Sequence, residues 1–510
     1  MSFLKAEGNA DICKRDNTKG CRMKKSKVIT LITIIAVIAI AAVFFGVYYM
    51  MDAYVNQQKV TQSGNQAAGG QQFPTYAQNL IRTTMEEPEE SGVCGKNLEW
   101  YYKDEVLVIS CVGKMDEYIF SGGSAPWFNG LRNRIGCVIL DEGVTSIDSA
   151  AFRGCRNMKE IFLPSSLMYI DDSAFKGCSS LMQINLPDSV ISIGEKAFLG
   201  CSSLQEIMLP DSVIKIEEET FCDCSNLREI TLPDSITSIG ESAFKNCSGL
   251  TEITLPSSLT NIGKDAFCGC NGLTELTIPD SVTSIGEYVF SECSDLTKIT
   301  IPDGVTSIGG AAFCNCSALT EITIPDSVLS IGDSAFSGCS RLRELMIPDS
   351  VMGIGDSAFS GCSSLTEITL PDGVTSIIAY TFSGCSSLTE LTIPDSVMSI
   401  GDSAFYECSS LTELTIPDSV MSIGDSAFYG CSSLTELTIP DSVTSIGDSA
   451  FKWCSNLTEL TIPDSVTSIG DSAFEWCSDM TIYYSGNALD SYIDDNSSDW
   501  SVQNIVWIKQ

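Results

Sequence analysis

The chain has 510 residues, 44% hydrophobic and 18% charged, with a formal net charge of −36 and no histidine. Such a polyanion has no basic stripe with which to collect phosphates, so nucleic acid is excluded as a natural partner. The lack of histidine removes Ser-His-Asp and Cys-His nucleophiles and every metal site that uses imidazole.

Residues 1–27 carry eight basic against three acidic side chains, a net of +5, which leaves −41 for the remainder. Val28 to Met51 follows with 24 residues and no charge. At about 1.5 Å per residue a helix of that length spans roughly 36 Å, enough for the ~30 Å hydrocarbon core of a bilayer. Tyr48 and Tyr49 lie at its outer end, where amphipathic rings suit the interface. The basic head keeps the N-terminus in the cytoplasm and sends the rest outside. The segment is too long for a signal peptide and Tyr-Tyr-Met-Met-Asp is a poor cleavage site, so residues 28–51 read as an uncleaved transmembrane helix. Cys13 and Cys21 then face the cytoplasm as reduced thiols. Residues 52–91 are rich in Gln, Gly, Asn and Thr and show no sustained period, which predicts a flexible linker.

Beyond this the chain repeats. Proline recurs every 23 residues from Pro164 to Pro463, Phe from Phe152 to Phe474, and Cys from Cys155 to Cys477. An Ile stands six residues after each of those prolines. A fixed period of this length means a stacked array. In the copy from Leu411 to Ser433, Leu414 and Ile416 alternate with Glu413 and Thr415, the signature of a strand with one buried face. Pro417 ends the strand, and Asp418 and Ser419 suit a corner. Val420 and Ile423 turn inward on a second short strand. Asp425 or Ser426 can cap a helical turn that carries Ala427, Phe428 and Cys431 inward. The prediction is an α/β-type repeat solenoid of about fifteen coils over residues 135–485, behind one N-terminal transmembrane helix. One coil cannot stand alone. About six apolar side chains at roughly 2 kcal/mol each do not offset the ordering of its backbone at ~1–2 kcal/mol per residue. Residues 486–510, with Trp500, Ile505 and Trp507, are expected to form a C-terminal cap.

The unit Leu-x-x-Ile/Leu-x-Ile/Leu-Pro, followed by Ile-Gly-x-x-Ala-Phe-x-x-Cys, resembles the leucine-rich repeat of BspA-type surface proteins of bacteria and some mucosal protists. The flank Cys94-Gly-Lys-Asn-Leu-Glu-Trp100, with Leu107-Val-Ile-Ser, Gly113-Lys-Met115 and Ala125-Pro-Trp127, is similar to a segment of gut bacterial members. It marks 92–134 as an N-terminal cap of short strands. Cys111 departs from it, standing where the family commonly has Gly. The resemblance implies a leucine-rich repeat fold on a membrane-anchored cell-surface protein with the repeats outside. It implies an adhesin or protein-binding scaffold for an extracellular protein or glycoprotein, of host matrix or of other microbes. The identical copies at 389–406 and 412–429 multiply area instead of building one defined site, so the chain reads as no enzyme and as needing no cofactor. It supplies no ligand. The alternative is an architectural spacer or self-associating surface element.

One position per repeat becomes a column of side chains. The Cys155-to-Cys477 column falls on the Phe face and reads as buried thiols filling the core. A single column at ~4.8 Å spacing cannot converge four ligands on a metal. Cys222, Cys268 and Cys314 form Cys-x-Cys pairs at two-repeat intervals, a mark of block duplication, and Cys94 and Cys111 are candidates to pair within the cap. The exposed strand face carries Glu four residues before proline: Glu206, Glu229, Glu252, Glu275, Glu321, Glu367, Glu390, Glu413, Glu436 and Glu459. Gln183 and Lys298 break the series, and a Thr column from Thr231 to Thr461, interrupted by Met346, runs beside it. This face is either a solvated sheet surface or an acidic binding face for a basic partner or for Ca2+. The local breaks at Ile216 to Glu219 and at Ile378 to Tyr380 bring no catalytic constellation together.

Overall fold

A computed structural model describes residues 75–116, 125–477, 479–485, 489–490, 492–493 and 505–510. The basic head, the apolar segment 28–51, most of the linker and Trp500 lie outside the described residues. Among the described residues no helix is long and apolar enough to cross a membrane.

The repeats wind into a β-solenoid of about sixteen turns of about 23 residues, against the fifteen or so expected. Two parallel ladders run along it. The first joins the Glu-x-Thr strands, as in Glu413↔Glu436, Leu414↔Leu437 and Thr415↔Thr438. The second joins Ser-Ile pairs, as in Ser422↔Ser445 and Ile423↔Ile446. Leu414 points inward and is buried, while Glu413 and Thr415 are exposed, as the alternation requires.

The third side of each coil differs from the expected helical turn: no residue from 135 to 477 is helical. Instead the Phe segment is a ribbon of tight turns. Ala404, Tyr406 and Cys408 donate their N–H groups three residues back within the coil, at 3.3, 3.1 and 3.1 Å. Ser403, Phe405 and Glu407 alternate with them and donate to Asp425, Ala427 and Tyr429 of the next coil, at 2.7, 2.8 and 2.7 Å. The alternation needs two left-handed residues per coil, such as Ser426 at φ 55° and Gly430 at φ 74°, and a helix admits neither. Asp425 does not cap a helix. Its Oδ1 accepts the N–H of Asp448 at 2.8 Å, one rung of a ladder that runs Asp402, Asp425, Asp448, Asp471. The glycine before each Asp lets these backbones meet: a Cβ on Gly424 would lie 2.6 Å from the Gly401 carbonyl carbon.

Inside, Phe152 to Phe474 stack ring on ring, with neighbouring centroids between 5.3 and 5.8 Å. Trp127 continues the stack at the N-terminal end, 5.5 Å from Phe152, and Trp100 closes it edge-on at 6.2 Å. At the other end Trp507 meets Phe474 edge-on at 5.9 Å.

The first coil is preceded by an antiparallel meander: β1 (Glu90–Gly95), β2 (Leu98–Lys103) and β3 (Val106–Cys111). β3 then pairs in parallel with Cys137–Leu140, which passes the register to the coils. The linker is not structureless at its end. Residues Thr75–Glu86 form helix α1, whose Leu80, Ile81 and Met85 pack on Val106, Val108 and Ile139 of the outer sheet face. At the C-terminal end Val506–Lys509 adds a parallel strand to Thr481–Tyr484.

Candidate binding surfaces

The solenoid sets side chains in long rows, each built from one register position. On the outer sheet face, parallel pairing with a step of 23 residues brings the predicted glutamates into a row. Glu206 pairs with Glu229, which bridges to Glu252. Glu275 and Glu321 stand on either side of Lys298, which breaks the row by pairing with both. Glu367, Glu390, Glu413, Glu436 and Glu459 fill the C-terminal half, and Glu459 pairs with Thr481, where the row ends. Glu344 belongs to the same row, paired with Glu367. It sits four residues before Pro348, so the rule that found the others also identifies it. All of these side chains are exposed. Along a straight row carboxylates neighbour one another without converging. Among the described residues no group of three or more Cys, Asp or Glu side chains is placed to hold a metal ion, so the row offers no built Ca2+ site. The N-terminal end of this face is covered by α1, and the row of glutamates runs uncovered beyond it.

The interior columns are satisfied. Every thiol of the 23-residue column from Cys178 to Cys477 donates to a phenylalanine carbonyl in the preceding coil, from Cys178 to Phe152 at 3.1 Å through to Cys477 on Phe451 at 3.0 Å. That carbonyl already accepts an N–H from its own coil, as Phe336 does from Cys339 at 3.1 Å, so the thiol fills its second lone pair. Burial pushes these thiols up, to about 12 for Cys362, and holds them protonated. The column cysteines are free, as core fillers should be, with a donor role added that spacing alone did not reveal. Cys94 and Cys111 also stand as thiols, one buried and one exposed. Burial first, then Asp116 and Cys111, pushes Cys94 up to about 12. Cys222 and Cys268 lie two coils apart, and Lys245 lies on the coil between them.

The two breaks in the repeat are structural. Where Gly gives way to Glu217 and Ile378, the following Ala becomes Thr220 and Thr381, and each hydroxyl donates back to that residue's carbonyl at 2.8 Å. Glu218 and Glu219 pair with Lys196 of the preceding coil at 2.6 and 3.7 Å.

The edge beyond the Phe ribbon carries aromatics that the sequence reading did not single out. Tyr406 and Tyr429 stack at 4.7 Å, and Trp453 and Trp476 at 5.0 Å. The two indoles are 44% and 48% exposed and stand at φ 65° and 64°, where eight other coils have glycine. Their signal in the sequence is a large ring at a position otherwise held by Gly, Asn, Asp or Glu.

A family model described as BspA type leucine rich repeat region matches the chain in six copies over residues 128–251, 237–366 and 352–481. A leucine-rich repeat protein from Bacteroides ovatus is 29% identical and covers 81% of this chain and 99% of its own, with a TM-score of 0.62. A leucine rich cell surface protein from Faecalibacterium prausnitzii is 25% identical over 82% of this chain and 98% of its own, with a TM-score of 0.41. No curated protein sequence matches.

Proposed function

The chain belongs to the BspA-type leucine-rich repeat family, and from that we propose that it is a non-enzymatic, membrane-anchored cell-surface protein whose solenoid binds another macromolecule through many weak contacts. The anchor is the apolar segment 28–51, with the basic head inside and the repeats outside. The partner is an extracellular protein or glycoprotein, of host matrix or of another microbe. The observation that carries the reading is the register-locked row of exposed glutamates from Glu344 to Glu459 beside a row of threonines. Carboxylates held in line repel by a few tenths of a kcal/mol per neighbouring pair, and a basic partner would relieve this. Residues 389–406 and 412–429 are identical, so the repeat multiplies area rather than refining one site. Linked weak contacts gain strength from such multiplication.

The test is adhesion of cells displaying the full chain to immobilised basic matrix proteins. Saturable adhesion is expected, weakened at least about ten-fold by Glu390→Gln, Glu413→Gln and Glu436→Gln together and screened by salt. Self-association alone, with no adhesion, would support the spacer reading instead.

A further inference from the structure

We propose that the notch over Gly430, between the Trp453 ring and the Glu407 carboxylate, receives an arginine side chain of a basic partner protein. Glu407, Gly430 and Trp453 hold one position in three successive coils, tied by the Glu407 N–H to the Tyr429 carbonyl at 2.7 Å and the Gly430 N–H to the Lys452 carbonyl at 2.8 Å. One face of the Trp453 indole lies on Trp476. Its other face looks across Gly430, which has no side chain to fill the space. On the far side Glu407 leans in, its Cγ 3.3 Å from where a Cβ on Gly430 would stand. The Trp453 indole and the Glu407 side chain, whose carboxylate also lies near Tyr406, therefore flank a bare floor.

Three observations point to a cation as the occupant. Trp453 keeps a left-handed backbone at φ 65° that disfavours bulky side chains, and it spends that strain on an exposed ring. The basic residue next to Trp453 in the chain, Lys452, is engaged by Glu475. The molecule also fills comparable ring-and-carboxylate pairs with its own cations. Arg134 lies 5.1 Å over Tyr102 while bonding Glu89 at 3.0 Å, and Lys264 lies 5.3 Å over Tyr288 while bonding Glu287 at 2.8 Å. Among the described residues no Lys or Arg lies over Trp453. A planar guanidinium stacks on an indole and offers its N–H edge to a carboxylate at once, which an ammonium does less well. The net charge of −36 favours approach of a basic partner.

The inference rests on reading the solenoid exterior as a binding surface, but it concerns a different edge from the glutamate row. The test is calorimetric titration of the detergent-solubilised full chain with the peptide acetyl-Gly-Arg-Gly-Arg-Gly-amide, with its citrulline counterpart, and with chitohexaose as a neutral sugar. Binding of the arginine peptide is expected, weakened at least about five-fold by Trp453→Gly and by Glu407→Gln, with the citrulline peptide at least about five-fold weaker. Trp453→Gly restores the residue that suits this backbone, so the variant folds. An unchanged affinity in either variant, equal binding of the citrulline peptide, or Trp453-dependent binding of the sugar alone would overturn the proposal. Failure here with adhesion still lost in the glutamate-row variant would leave the broader reading standing.

Discussion

Each column thiol from Cys178 on, by donating its S–H in a hydrogen bond to a phenylalanine carbonyl one coil back, couples ionisation to the core. Ionising one would bury a charge and break that bond. Cys362 is raised from 9.0 to about 12, so the folded state holds its proton where the unfolded chain has released it. Stability from these thiols is full below about pH 9 and is lost as pH rises through the folded value near 12. Circular dichroism against pH should show unfolding begin above about pH 9, and replacing several column cysteines by alanine should move that onset upward. At pH 7 a thiol reagent should label the exposed Cys111 and leave the column untouched until denaturant is added. At Trp453 two opposing effects of similar size meet. A left-handed non-glycine residue costs about 1–2 kcal/mol, and loss of the Trp476 stack removes about 0.5–1.5 kcal/mol. Trp453→Gly should therefore shift thermal stability little, as a melting curve would show.

Individual elements show where sequence patterns suffice and where they do not. The Glu-x-Thr strands, the proline corners and the Phe core were legible, because Leu414 and Ile416 must face one way and Pro417 must end a ladder. The ribbon after Gly424 was not. Asp-Ser followed by apolar residues is also the pattern of a helix start, and only contacts with the next coil select left-handed Ser426 over a helical conformation. Gly424→Ala should accordingly cost about 1–3 kcal/mol by denaturant melting, since the added methyl meets backbone and cannot be sidestepped. Helix α1 was hidden for another reason. Ala77, Leu80, Ile81, Thr84 and Met85 do follow helical spacing, but only within the last part of a polar stretch. Ile81→Asp would place a charge against Val106 and Val108, and limited proteolysis should then cut between residues 75 and 90 well before the coils. The glutamate row was legible from its distance to proline. The notch at Gly430 was not, because it depends on which three residues the stacking makes neighbours.

At the scale of the whole molecule, stability is a sum over coils and the contacts between them. The step is 23 residues at almost every rung, so a whole unit can be removed without disturbing the register of those left. Deletion of residues 412–434 should leave a folded protein with the same circular dichroism per residue and a smaller denaturant slope. Deletion of a single residue in the same coil should break the register and lower the melting midpoint by several degrees, about 1–3 kcal/mol or more.

The phenylalanine column ends on an edge-turned tryptophan at either side, and nothing between those two rings fixes how many rungs there are. Unequal crossing-over between identical stretches can therefore lengthen or shorten the array by whole rungs while both endpieces stay intact. The reach of this protein is in that sense a heritable integer, open to selection one step at a time.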